Sequence, residues 1–400
     1  MTHNEALIAR GNRALLHNYR RQPLVIERGE GAYVWDADGR RYLDLICGIA
    51  TVALGHSHPD VVRAAHAQLG RVWHTGNGVW TQPQIELAEK LTRLSGLERA
   101  FFCNSGAEAN EALFKLARKY HKDRGDGARV EILAFHHSFH GRTLATLTAT
   151  GQPKYQKGFE PLPPGFVHAT YGDLEAVRAA VGPRTAAIIV EPVQGEGGIQ
   201  PAPEGFLPGL RRIADEIGAL LLVDEIQTGM GRTGRMFGFE WDGIRPDAIS
   251  MAKAIANGLP LGAMLCREEL DATLTPGSHG STFGGNLVAC AAANAAIEII
   301  AEPRTLENVR QLGAYLLGRL REVKERNSDK VVAVRGKGLL VGVEVSADAS
   351  GILNRCRERG LLLNLAGEKT LRFAPPFIVS REQLDEGAAA LEDAIRATRL

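Results

Sequence analysis

The 400-residue chain has no uninterrupted apolar run near the ~20 residues a membrane-spanning helix needs, which argues against a membrane protein. Its first residues carry His3, Asn4, Glu5, Arg10 and Arg13 and lack the apolar core of a secretory signal, so a cytoplasmic location is expected. Cysteine is scarce. Cys47, Cys103, Cys266, Cys290 and Cys356 are odd in number and widely scattered, with no C-x-x-C pair, which points away from a disulfide scaffold and toward a reduced compartment. Neither sign of charge dominates: the formal net charge is +1, with no basic or acidic tail, so no nucleic-acid or membrane-surface partner is expected. Repeats and low-complexity linkers are also missing. What is present is ordinary globular composition, 44% hydrophobic and 23% charged, at a length that calls for two packed domains.

Short apolar runs at 100–103, 130–135, 186–191, 219–224, 247–252 and 261–267 are continuous rather than alternating, as in strands covered on both faces. Amphipathic stretches at 84–95, 107–122 and 206–217 lie among them, and the pattern predicts an α/β fold with a mostly parallel central sheet. Before residue 48 the chain reads as short strands at 25–27, 32–35 and 41–43, joined by 29–31 and the Asp38-Gly39 turn. The last third reads as long helices at 285–300 and 306–326, then short strands at 331–334, 339–345 and 370–373. The expected division is therefore a large domain over 49–285 and a small α+β domain built from 1–48 and 286–400.

Two strand ends carry the chemistry. Lys253 follows the run Ala248-Ile249-Ser250-Met251-Ala252, and Asp224 ends the run Ala219-Leu220-Leu221-Leu222-Val223. A buried lysine amine and a buried acid suit pyridoxal phosphate chemistry: the amine forms a Schiff base with the cofactor aldehyde, and the acid pairs with the pyridinium nitrogen. Lys253 alone reads more simply as a solvated residue just past a strand; the rest of the constellation decides. The segment Asn104-Ser105-Gly106-Ala107-Glu108 follows a strand and has capping-box spacing, so a helix should start there. Its free N–H groups and the small Gly106 make a phosphate seat, although a plain capped helix has the same signature.

Two other motifs are set aside. Gly229-Met230-Gly231-Arg232-Thr233-Gly234 matches G-x-G-x-x-G, but it leads into 235–241, which has no helical apolar stripe, so a dinucleotide site is not expected. His136, His137 and His140 fall in a loop after a strand with no Cys, Asp or Glu nearby to complete a ligand set, so no metal is expected.

Taken together the chain resembles the class III (ω-amino) aminotransferases of the fold-type I pyridoxal phosphate superfamily. The segments that carry the resemblance occur in family order: Leu54-Gly55-His56-Ser57-His58-Pro59, the run 102–110, Phe139-His140-Gly141-Arg142-Thr143, the run 191–198, Asp224-Glu225-Ile226-Gln227-Thr228-Gly229, Lys253-Ala254, the run 279–286 and Arg372-Phe373-Ala374-Pro375-Pro376. They cover the chain nearly end to end. Within the family the acetylornithine aminotransferases of arginine biosynthesis look most similar, above all at 101–110 and 139–143.

The resemblance implies a role for each residue. Lys253 would bind the cofactor covalently and then carry the proton, with Asp224 on the ring nitrogen, Gln227 on the 3-hydroxyl and Phe139 stacked on the ring. Ser105, Gly106 and Ala107 would hold the phosphate, and Glu225 and Ile226 belong to the same cofactor-binding segment as Asp224. Thr282 would complete the phosphate site of a neighbouring subunit, which makes a homodimer with composite sites obligatory. Arg142 and Arg372 would clamp substrate carboxylates, bidentate guanidinium contacts being suited to that task. Glu196 would pair with Arg372 while the ω-amino donor occupies the site, and Ser281 and Tyr19 would complete the substrate side. The implied reaction moves the terminal amine of N2-acetyl-L-ornithine to 2-oxoglutarate. Ile49 stands where ornithine δ-aminotransferases carry a tyrosine, which fits an acylated α-amine better than a free ammonium. Succinylornithine and other ω-amino donors remain open alternatives, and Trp80 could shape the acyl group or be core. An aminomutase or decarboxylase would not need Arg372 and Glu196, and a non-catalytic relative would be expected to lack Lys253 or Asp224.

Overall fold

The computed structural model describes residues 1–398. The central feature is a seven-stranded sheet of β1 (Arg99–Cys103), β2 (Glu131–Phe135), β3 (Phe166–Ala169), β4 (Thr185–Val190), β5 (Leu220–Asp224), β6 (Ala248–Met251) and β7 (Gly262–Cys266), in spatial order β1-β7-β6-β5-β4-β2-β3. Pairing is parallel from β6 through β5, β4 and β2 to β3. β7 runs antiparallel to both of its neighbours, β1 and β6. Every residue of β4, β5, β6 and β7 is buried, which is why these segments are continuous apolar runs. The edge strand β3 escaped the sequence reading. It is four residues long, contains His168 and is only partly covered, so it carries no apolar signal.

Helix α1 (Gly106–Asp123) leaves the end of β1 and lays Leu113, Leu116 and Ala117 on the sheet. Ser105 caps it, accepting the N–H of Glu108 at 3.2 Å. The returning half of the capping box is displaced: the Glu108 carboxylate takes the N–H of Asn104 at 3.0 Å and the hydroxyl of Ser105 at 2.8 Å. Helices α2 (Phe206–Ile217), α3 (Leu287–Ile300) and α4 (Pro303–Arg326) complete the longer connections.

The chain ends meet in a second sheet. Ile26–Glu30, Tyr33–Asp36 and Arg41–Asp44 form an antiparallel meander, and Leu361–Leu362 adds in parallel beside Arg41–Asp44. A third sheet, entirely antiparallel, orders Val331–Lys337, Leu340–Val345, Thr370–Phe373 and Asn364–Ala366. We propose the domain division near residues 48 and 285 on the strength of the shared second sheet. The glycines of the run beginning at Gly229 form a buried turn rather than a helix start. Gly231 N–H reaches Met236 O at 3.1 Å, and the buried Arg232 guanidinium donates to the carbonyls of Leu339 and Pro375. Among the described residues no helix is long and apolar enough to cross a membrane.

Candidate active site

Parallel strands bring their carboxyl ends to one edge of a sheet, and the loops leaving that edge build the binding site. Here β1 delivers Asn104 and Ser105, β2 delivers Phe139 to Arg142, β4 delivers Glu191, β5 delivers Asp224, Ile226 and Gln227, and β6 delivers Lys253. The reversed β7 presents its amino end to the same edge, so the preceding loop, Gly258 to Leu261, joins them. These residues enclose a cavity of about 380 Å³.

Lys253 lies three positions beyond Ser250, the register partner of Asp224. Its backbone takes φ +49°, a left-handed conformation that a lysine adopts at a cost and that is concentrated at functional sites. Burial pulls its amine below the ordinary lysine range; the carboxylate of Glu196 opposes this shift and the guanidinium of Arg372 adds to it.

Asp224 is buried, and both of its oxygens accept hydrogen bonds. One oxygen accepts from Asn110 Nδ2 and His140 Nδ1, both at 2.8 Å, and the other accepts the N–H of Ile226 at 3.0 Å. Burial disfavours a charge on His140, but the hydrogen bond and field of Asp224 more than compensate, and its pKa is raised. Burial likewise pushes the Glu191 carboxyl up, and this group accepts N–H bonds from Phe139 and Gly195. Sequence reading weighed His140 only as a metal ligand and did not single out Asn110. The signal for Asn110 was there: it stands one helical turn beyond Gly106, on the face of α1 that looks into the site.

Arg372, on strand Thr370–Phe373, is buried and meets the cavity wall through Gln227. Its Nη1 contacts Glu196 Oε1 and lies 3.1 Å from Gln227 Oε1, while its Nε donates to Asn364 Oδ1 at 3.0 Å. Gln227 bridges the groups, donating to Glu196 Oε1 at 3.4 Å while lining the cavity. Burial raises the Glu196 carboxyl, but Arg372 and Lys253 outweigh it, and its pKa falls below the ordinary value. Arg142 lines the cavity on its other side, its guanidinium 4.1 Å from the Tyr155 ring centroid and 5.4 Å from that of Phe139. Among the described residues it has no carboxylate partner.

Other expected residues stand elsewhere. Asp224, Ile226 and Gln227 line the cavity, whereas Glu225 does not. The Glu225 carboxyl accepts from Thr228 and from the N–H groups of Gly238 and Phe239, and burial pushes it up to about 7. It braces a loop in this structure, so its placement does not make it a cofactor contact. Gly106 meets a further constraint, since a Cβ there would lie 2.6 Å from Ile226 Cδ1. Ser281 binds within its own chain, its hydroxyl 3.1 Å from Asn104 Nδ2. Tyr19, Ile49, Trp80 and Thr282 are exposed and outside the cavity, Trp80 at 92%.

The Aminotransferase class-III family model matches residues 15–395. The chain belongs to the class-III aminotransferases. An acetylornithine aminotransferase of Myxococcus xanthus is 63% identical over 382 residues, 95% of each chain. One from Gloeobacter violaceus is 50% identical over 94% of each. Among solved structures, an ornithine aminotransferase from Toxoplasma gondii, described as partly occupied by PLP at its active site, superposes with TM-score 0.95 at 31% identity, covering 98% of this chain and 94% of that one. The N-acetylornithine aminotransferase of Stenotrophomonas maltophilia gives TM-score 0.84 at 36% identity, covering 98% of each chain.

The residues of this class-III site fit the cofactor that the family implies. The cavity is of small-ligand size. An anion seat lies at the start of α1, a buried carboxylate held by three donors lies deeper, and a buried amine of lowered basicity lies beside them. Phosphate, ring nitrogen and aldehyde each have a chemically matched partner.

Proposed function

We propose that the chain transfers the terminal amine of N2-acetyl-L-ornithine to 2-oxoglutarate, giving N-acetyl-L-glutamate 5-semialdehyde and L-glutamate, with pyridoxal 5'-phosphate bound in the 380 Å³ cavity. The observation that carries the substrate is the 63% identity to the Myxococcus acetylornithine aminotransferase over 95% of both chains. When bound, the cofactor supplies an aldehyde and an electron-withdrawing ring. The protein supplies the rest. Asp224 would hold a proton on the ring nitrogen, Phe139 would pack on the ring, Gln227 would meet the 3-hydroxyl, and the start of α1 with Ser105, Gly106 and Ala107 would hold the phosphate. Lys253 moves the proton at the substrate carbon, its lowered basicity suiting an amine that must both give and take it. Arg142, with no carboxylate partner among the described residues, receives the donor's α-carboxylate. Free thiols at all five cysteines accord with a cytoplasmic enzyme. A panel of ω-amino donors, scored by kcat/KM for glutamate formation, tests the substrate. Acetylornithine should lead, and a lead by ornithine or succinylornithine of tenfold or so would reassign the donor.

The close Glu196–Arg372 pair is the basis for selecting between half-reactions. An ω-amino donor puts no carboxylate near its reacting amine, so Arg372 must be neutralised then and freed for 2-oxoglutarate. In Glu196→Ala, Arg372 stays available to α-carboxylates throughout. The acetylornithine half-reaction should weaken while the glutamate half-reaction holds or improves. Loss of a charge-assisted partner of this kind is worth about 1.5–3 kcal/mol, so the ratio of single-turnover rates should move by roughly tenfold or more. Equal slowing of both halves would make Glu196 a structural residue.

We also propose a homodimer. Thr282 is exposed outside its own cavity, beside Phe283 at 60% exposure, and Trp73 at 61% lies nearby, where Asn286 Nδ2 reaches its carbonyl at 3.1 Å. Exposed aromatic groups of this size favour burial against a partner. Mixing Lys253→Ala with Thr282→Val should restore about a quarter of wild-type activity after random subunit exchange, because each heterodimer holds one intact site. No recovery after exchange is confirmed would place Thr282 in its own chain's chemistry.

A further inference from the structure

Glu196 sits at the tip of a hairpin. Val193–Gln194 and Gln200–Pro201 pair antiparallel, leaving Gly195 to Ile199 as the loop between them. Its descending limb is strained: Gly198 has φ +94° and Ile199 has φ +53°, a conformation that a β-branched residue rarely adopts. Such a conformation persists only where its surroundings over-determine it.

The third sheet supplies that constraint. Arg335 donates Nε and Nη2 to the carbonyl of Gly198, at 2.9 and 2.7 Å, and Nε also reaches the carbonyl of Ile199 at 3.1 Å. The guanidinium is itself fixed by Glu344 Oε2 through Nη1 and by Thr370 Oγ1 at 3.4 Å from Nη2. Beside it Gly342 leaves a notch. A Cβ there would lie 2.7 Å from Thr370 Cγ2 and 2.9 Å from Ile199 Cβ, and Ile199 fills the space, fully buried against Val193 and Leu340. The register is direct: Arg335 pairs with Gly342, and Gly342 pairs with Arg372. One row across three strands therefore carries the clamp on the loop, the notch the loop enters, and the partner of the loop's carboxylate.

We propose that Arg335 is a positioning residue for the Glu196–Arg372 pair: its grip on the Gly198 and Ile199 carbonyls sets where the Glu196 carboxylate stands. The inference rests on the half-reaction reading of Glu196 given above. Arg335 does not line the cavity that holds Lys253 and Asp224, and its action runs through the loop. Lysine cannot reproduce the forked contact, since its ammonium is a point donor.

The test is the ratio of single-turnover rates, acetylornithine over glutamate, in cofactor-loaded Arg335→Ala, Arg335→Lys and Gly342→Ala, each also made with Glu196→Ala. Arg335→Ala should lower the ratio by roughly fivefold, in the direction of Glu196→Ala, as coupled neighbours do. Arg335→Lys should recover part of it, and Gly342→Ala should lower it by lifting Ile199. With Glu196→Ala already present, none of the three should change the ratio further. A ratio held within about twofold in Arg335→Ala, while Glu196→Ala shifts it, overturns the inference and leaves the gate standing. A shift that persists without Glu196 overturns it too. If Glu196→Ala itself shifts nothing, the gate reading fails and this inference with it. Should Arg335→Ala fail to fold, Arg335→Lys and Gly342→Ala decide by the same criteria.

Discussion

Lys253→Ala is expected to bind pyridoxal phosphate and to lose turnover by roughly a thousandfold or more, since it would remove both the covalent attachment and the proton carrier of the proposed reaction. Retention follows from the separateness of the contacts. The start of α1, Phe139, Asp224 and Gln227 come from other strand ends and do not depend on the lysine side chain. The substitution also removes a buried amine whose charge is disfavoured there, so the fold should tolerate it. Dialysis should release more cofactor than from wild type, because the covalent link is gone, and the visible absorption of lysine-bound cofactor should vanish. Activity within tenfold of wild type would place the essential amine elsewhere.

Asp224→Asn is expected to lose a hundredfold or more in kcat. Both carboxylate oxygens accept hydrogen bonds, one from Asn110 and His140 and the other from the N–H of Ile226. An amide offers a single acceptor, so whichever way it turns, its NH2 group faces a donor. The substitution also removes the charge that supports a proton on His140 and that, in the proposed reaction, would support one on the ring nitrogen. Breaking one side of a buried charged pair also costs ~3–5 kcal/mol of stability. Since Asp224 raises the pKa of His140, the stabilisation from that pair is present at low pH and fades as pH rises through the folded-state value. In Asp224→Asn that contribution should disappear, and the difference in Tm from wild type should be larger at pH 6 than at a pH well above the His140 titration. A pH-independent difference would mean that His140 is neutral throughout.

The buried strands were legible because continuous apolar runs have few alternatives in a chain of this length. The reversal of β7 was not, since a run such as Leu261-Gly262-Ala263-Met264-Leu265 carries no mark of direction. Ordered motifs located Lys253, Asp224, Gln227, Arg142, Glu196 and Arg372, and the structure brings all six around one sheet edge. Roles set by long-range contact were hidden. His140 and Asn110 gain theirs only when β2 and α1 converge on Asp224, and Arg335 gains its own only when a hairpin far off in sequence lies on the third sheet. Glu225 departs from the expectation for a local reason: its carboxyl is taken by Thr228 and by the N–H groups of Gly238 and Phe239. Tyr19, Ile49, Trp80 and Thr282 are exposed and lie outside the cavity of their own chain.

The most direct measurement is the isolated half-reaction of the cofactor-loaded enzyme, followed by its visible absorption and by product. Stoichiometric N2-acetyl-L-ornithine should bleach the band and release one equivalent of N-acetyl-L-glutamate 5-semialdehyde per site, and 2-oxoglutarate should restore the band with one equivalent of glutamate. A band left unchanged by acetylornithine, or bleached without the semialdehyde, would contradict the proposed reaction.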